Sequence, residues 1–113
     1  MRLFYVVLLI FIASLAQAQP ELVCTVAAPM INESSGLAMS GRQADVFWTN
    51  NDSGDGPNLY AFNTSGKLLG SFAVPGAQAR DWEDMAAFTG GGAACLVCAD
   101  TGDNFKKRSH CFL

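Results

Sequence analysis

The chain has 113 residues, half of them hydrophobic, and a formal charge of −3. That is room for one small domain with a limited core. Its densest basic cluster is Lys106-Lys107-Arg108, far short of the basic face that phosphate binding needs, so nucleic acid is excluded as an expected partner.

Arg2 opens the chain and an apolar run follows from Leu3 to Leu15. The run is shorter than the roughly 20 residues that span a bilayer. It ends at Ala16-Gln17-Ala18, the small-x-small pattern that signal peptidase reads. Residues 1–18 are therefore expected to be a cleavable signal peptide and residues 19–113 the working domain. The product is expected to be secreted or periplasmic, with no membrane association once the signal is removed.

Beyond residue 18 helical periodicity is nearly absent. Short runs of β-branched and aromatic residues are broken instead by Gly, Asn, Asp and Ser. Leu22 to Ala27 reads as a first strand, and Asp45 to Asn50, with Val46-Phe47-Trp48-Thr49 at its heart, as a second. Leu59 to Phe62 and Lys67 to Val74 read as a hairpin joined through Asn63-Thr64-Ser65-Gly66, where Gly66 supplies the positive φ of the turn. Asp81 to Ala87 reads as one helical turn with Asp81 as its N-cap. Ala94 to Ala99 is apolar and of strand length.

Cys24, Cys95, Cys98 and Cys111 all follow the signal segment. An even count in an exported protein favours disulfides. Four cysteines allow three connectivities. Cys24 with Cys111 is the expected pair, because Cys95 and Cys98 fall on opposite faces of a strand. A Cys₃His zinc site built from Cys95, Cys98, Cys111 and His110 is disfavoured, since adjacent His110 and Cys111 point apart on a strand. His110 is the one histidine, and no Ser-His-acid arrangement is visible.

The chain echoes itself. Glu33 precedes an apolar segment, a turn, the strand Val46 to Thr49 and the polar cluster Asn50 to Asp55. Glu83, 50 residues on, precedes Met85 to Phe88, the turn Gly90-Gly91-Gly92, Leu96 to Ala99 and the cluster Asp100-Thr101-Gly102-Asp103-Asn104. A period of about 40–50 residues with four short strands per repeat is propeller-blade spacing. The fold class expected is all-β: antiparallel four-stranded blades of a β-propeller, about two of them present.

Four segments carry a resemblance: Glu33-Ser34-Ser35-Gly36-Leu37-Ala38, Phe47 to Gly54, Asp81-Trp82-Glu83-Asp84-Met85-Ala86 and Asp100 to Asn104. In this order and spacing the chain resembles a family of exported, mostly uncharacterised bacterial β-propeller proteins, distantly similar to the gluconolactonase-like and esterase-like phytase propellers. The resemblance spans Leu22 to Cys111. Members of that family run on for several more blades, so the resemblance implies an N-terminal piece of a longer propeller. It also implies a glutamate at the start of each inner strand that helps hold a divalent metal, which falls on Glu33 and Glu83. Asn51, Asp52, Asp100 and Asp103 add oxygen donors on loops after strands. Such hard ligands suit Ca²⁺ or Mg²⁺, and Ca²⁺ is the expected ion.

The implied activity of a complete member is metal-dependent hydrolysis of a small ester, lactone or phosphoester. A non-catalytic binding or scaffold propeller, or an inactive fragment that self-associates through an exposed strand edge, are the competing expectations. Asp-Ser-Gly and Asp-Thr-Gly are also good turn formers in their own right, which makes a structural turn the simpler role for Asp52 and Asp103 taken singly. An EF-hand is excluded over Asn51 to Gly56, which lacks the twelfth-position Glu. Trp48 and Trp82 are expected in the packing rather than on a sugar.

Overall fold

The computed structural model describes residues 19–113; the expected signal peptide, residues 1–18, lies outside them. Six strands form: β1 (Ser34–Met39), β2 (Phe47–Asn51), β3 (Asn58–Phe62), β4 (Leu68–Ala73), β5 (Trp82–Gly90) and β6 (Ala93–Asp100). They make a four-stranded sheet in the order β1-β2-β3-β4 and a two-stranded sheet β5-β6. Every pairing is antiparallel, so the all-β expectation is met. No helix among the described residues is long and apolar enough to cross a membrane.

Local chemistry accounts for the turns. The β5–β6 hairpin closes through Gly91 (φ 57°) and Gly92 (φ 78°), two consecutive left-handed residues of the kind a tight hairpin matching the strand twist requires. In the β3–β4 turn Gly66 takes φ 76° as expected. There the Asn63 side-chain oxygen accepts the amides of Ser65 (3.2 Å) and Lys67 (3.0 Å). Asp45 also sits at positive φ (57°), and its carboxylate accepts the Thr64 amide at 2.9 Å, tying the β1–β2 loop to the β3–β4 turn. Asp tolerates that backbone because a short polar side chain can bond locally.

Two expected elements differ. Asp81 to Ala87 is not a helical turn: from Trp82 onward it is strand β5, paired in register with β6 from Trp82↔Asp100 to Gly90↔Ala93. One turn of helix is a costly nucleus, whereas the apolar segment Ala94 to Ala99 supplies a full ladder of partners. Leu22 to Ala27 is not a strand. It runs over the β3–β4 turn, where the Thr25 backbone lies so close to Gly66 that a Cβ there would have no room. The disulfide expectation is also corrected. All four cysteines are free: the Cys24 thiol lies beside the Asn63 carbonyl (3.9 Å) and the Cys111 thiol beside the Thr101 carbonyl (3.9 Å). The two ends of the domain are thus held by different sheets, and Cys24 and Cys111 do not meet.

The two sheets join where β1 meets β5. A Cβ on Gly36 would stand 2.5 Å from Asn50 Oδ1 and 2.8 Å from the Met85 amide nitrogen, so only glycine lets the strands come together. Across the seam Ser35 Oγ donates to the Glu83 carbonyl at 2.8 Å, and Asn50 Nδ2 donates to the Trp82 carbonyl at 2.9 Å. Thr49 and Asn50, both fully buried, are the largest completely enclosed side chains, while Ala38, Ala61, Tyr60, Trp82 and Met85 supply apolar burial. Trp82 is buried as expected; Trp48 packs against Phe72 with ring centroids 5.4 Å apart. The β1–β2 and β5–β6 hairpins each carry one extra residue near the start of their first strand, between Ser34 and Leu37 and between Trp82 and Asp84.

In the β2–β3 loop, Asp55 is clasped by Tyr60 Oη (2.6 Å), the Gly56 amide (2.8 Å) and Asn51 Nδ2 (3.0 Å). Burial works against the Asp55 carboxylate, but these donors outweigh it and hold its pKa below the ordinary value. Burial and then the same bond push Tyr60 up to about 12.

Two outcomes are expected. Gly36→Ala should destabilise the fold by about 1–3 kcal/mol through overpacking against backbone, read in a chemical-denaturation curve. Tyr60→Phe should cost about 1.5–3 kcal/mol near neutral pH, the range of a hydrogen bond to a charged group. Because the Asp55 pKa is depressed in the folded state, that contribution is present above its unfolded value and lost as pH falls through the folded one. The penalty of Tyr60→Phe should therefore shrink in acid.

Candidate metal site

The seam between the sheets gathers three carboxylates. Asp52 follows β2 and is fixed by its amide, which donates to the Glu33 carbonyl at 2.9 Å. Asp81 directly precedes β5; its amide donates to Asp100 Oδ1 at 2.9 Å, and its carbonyl accepts the Gly102 amide at 3.1 Å. Glu83 lies on β5, with Oε2 accepting from Ser35 Oγ at 3.2 Å. One carboxylate oxygen from each of Asp52, Asp81 and Glu83 lies within 4.8 Å of the others, so the three could hold a metal ion.

Asp81 is the enclosed member, 6% exposed. Its Oδ1 is buried and has no hydrogen-bond partner among the described residues. Gly102 closes over the carboxylate so tightly that a Cβ there would fall inside it. Burial first, then the contact and charge of Asp52, then the charge of Glu83 raise the Asp81 pKa, and the Arg108 cation only partly offsets them. A buried carboxylate facing two others and lacking a donor is what a cation relieves.

The expected ligands divide. Asp52 and Glu83 enter the cluster. Glu33 is exposed and stands outside it, contributing its backbone: its carbonyl holds Asp52, and its amide donates to Asn51 Oδ1 at 3.3 Å. Asn51 is consumed structurally, since Nδ2 donates to the Met30 carbonyl (2.8 Å) and to Asp55. Asp100 accepts the amides of Arg80 (3.2 Å) and Asp81 and forms an ion pair with Arg108. Burial opposes its charge, yet Arg108 and the two amides hold its pKa low. Asp103 accepts the amides of Lys107 and Arg108, both at 2.8 Å, which lower its pKa and fold the turn.

Asp81 is the residue that sequence reasoning missed, because it was assigned to a helix cap. Asp81 directly precedes β5 and Glu83 is the extra residue between Trp82 and Asp84, so the bulge breaks the simple strand alternation and no sequence spacing announces that the two meet. His110 is exposed and bonded to Ser109 (2.8 Å). Comparisons with protein families, with curated proteins and with solved structures return no match.

The raised Asp81 pKa fixes a sign. An acid whose pKa is higher in the folded state favours folding fully below its unfolded value and loses that contribution as pH rises through the folded one. Without a cation, charged Asp81 thus works against the fold at neutral pH. Asp81→Asn in excess chelator should raise the thermal midpoint by a few degrees at neutral pH. The gain should vanish near pH 3.5, about where ordinary carboxylates protonate. Equal midpoints for the two chains at neutral pH would contradict this account.

Proposed function

We propose that this chain is an exported β-propeller-type protein that binds a divalent cation through Asp52, Asp81 and Glu83, and that the site serves hydrolysis of a small ester, lactone or phosphoester. The observation that carries the cation reading is the buried, unpartnered Oδ1 of Asp81 inside a three-carboxylate cluster. The propeller reading draws support from the four-stranded antiparallel meander, from the packing of β5 on β1, and from the extra residue at matching places in the β1–β2 and β5–β6 hairpins.

The donors favour Ca²⁺. All are carboxylate oxygens, the cluster draws on a loop as well as a strand, and Ca²⁺ accepts irregular oxygen sets that Mg²⁺ resists. Asp52 and Glu83 are less enclosed than Asp81, which leaves an open side from which substrate and water can approach. A cation held there would supply Lewis-acid polarisation of a carbonyl or phosphoryl oxygen. The residues that would hold it are braced by the chain: Ser35 Oγ donates to Glu83, and the Glu33 carbonyl accepts the Asp52 amide.

A non-catalytic binding protein is the second reading. It draws on exposed apolar side chains such as Phe88 at 51%, on the short two-stranded sheet, and on self-association as a way to cover both.

Calorimetric titration of the full chain with Ca²⁺ tests the first claim. Binding is expected in the native chain and should be lost in Asp81→Asn. Saturable hydrolysis of nitrophenyl esters, a lactone or nitrophenyl phosphate that needs Ca²⁺ and disappears with the same substitution would support the enzyme. Binding without turnover of any of them would favour the second reading, and no Ca²⁺ binding would remove the cation site.

A further inference from the structure

The geometry points to Arg108 as a positioning residue for the cation site: it acts through Asp100 to hold the backbone of Asp81, and with it the segment from Thr101 to Phe112, against the carboxylate cluster. The inference rests on the reading of Asp52, Asp81 and Glu83 as a cation site.

Arg108 is far along the chain from β5 yet its side chain is only 3% exposed. Its guanidinium makes two contacts to one residue: Nη1 donates to the Asp100 carbonyl at 2.8 Å, and Nη2 pairs with Asp100 Oδ1. That carboxylate in turn accepts the amides of Arg80 and Asp81. The residue that carries the buried ligand is therefore fixed by a carboxylate, and the carboxylate is fixed by Arg108. A fork of donors suits this role where a single ammonium would not, because it addresses a carbonyl and a carboxylate at once.

The segment around Arg108 is tied to the same point from other directions. The Gly102 amide donates to the Asp81 carbonyl, and Phe112 pairs with Asp100 in an antiparallel bridge, with amide-to-carbonyl distances of 3.0 and 3.3 Å. Asp103 folds the intervening turn by accepting the Lys107 and Arg108 amides, which aims the arginine inward. Docking of this segment and placement of Asp81 are one structural event. A cation that prefers the placed carboxylate must then favour the docked segment, and by reciprocity the docked segment must raise cation affinity.

The test uses the full chain and Ca²⁺. Lys106 and Lys107 are exposed on the segment, so trypsin cleavage after them reports its release. Excess Ca²⁺ should slow that cleavage by about 5- to 150-fold, the span of ordinary coupling. Arg108→Met should weaken Ca²⁺ binding by about 10- to 100-fold, as loss of a supporting group does at metal sites, and Arg108→Lys should recover part of it. Should Arg108→Met fail to fold, the cleavage experiment on the native chain decides alone. Calorimetric Ca²⁺ binding with no change in cleavage at Lys106 and Lys107 overturns the role of Arg108 and leaves the cation site standing. So does a folded Arg108→Met chain that binds as tightly as the native one. No Ca²⁺ binding by the native chain overturns the cation site and this inference together.

Discussion

The approach of β1 to β5 at Gly36 is the contact on which the rest depends. Asp52 directly follows β2 of the four-stranded sheet, whereas Asp81 directly precedes β5 of the two-stranded one and Glu83 lies on it. The carboxylate cluster exists because the two sheets touch, and their close approach at Gly36 leaves no room for a side chain there. The seam is then sealed by polar groups. Ser35 and Asn50 each donate across it to a carbonyl of β5 or its first residue, which uses backbone acceptors that a ladder would otherwise have to satisfy.

That arrangement gives the domain an unusual interior. The completely enclosed side chains, Thr49 and Asn50, are polar, whereas Leu37, Met39, Phe72 and Phe88 face outward. Thr49 Oγ1 donates to the Gly36 carbonyl at 2.6 Å, and Asn50 spends both amide protons on the carbonyls of Asn51 and Trp82. Buried networks of this kind specify one arrangement of strands more than they add stability, since each group that loses its partner carries a desolvation cost. Hydrophobic burial is spread thinly over alanines, one tyrosine, one tryptophan and one methionine. The seam has to be specific because the core is too small to be forgiving.

Most of the fold was legible in the sequence because strands announce themselves locally. Asp45 to Asn50, Leu59 to Phe62 and Ala94 to Ala99 combine β-branched or apolar residues with turn formers at their ends, and β2, β3 and β6 lie over most or all of each. Gly66 could be assigned its left-handed backbone from its neighbours alone. Asp81 to Ala87 failed for the opposite reason. Aspartate before an apolar run is a sound helix-cap signal, and what overrode it, pairing with β6, lies across a turn that local propensity does not weigh. Leu22 to Ala27 has strand composition but runs over the β3–β4 turn, where the Thr25 backbone meets Gly66. The disulfide expectation counted cysteines and could not see that Cys24 and Cys111 are anchored at separate sheets. Two of the three residues of the candidate site were legible on the same terms: Asp52 and Glu83 were found, but their union with Asp81 depends on a seam between sheets that no local pattern encodes.

The acidic residues sort themselves by what donates to them. Asp45, Asp55, Asp100 and Asp103 each accept backbone amides or side-chain donors, and each has its pKa lowered. Their charges are spent on turns, on a tyrosine and on an arginine, so a cation has little to offer them. Asp81 has its pKa raised, by burial first and by Asp52 and Glu83 after it, and its buried oxygen lacks a donor among the described residues. Composition treats these carboxylates as equivalent oxygen ligands; their surroundings do not. A loop rich in aspartate is compatible with metal binding or with turn formation, and the difference is whether the protein has already supplied the positive partner. Around Asp100 it has, in Arg108. Around Asp81 that same arginine is paired with Asp100 and offsets the shift only in part, so among the described residues the cluster is left with unneutralised negative charge.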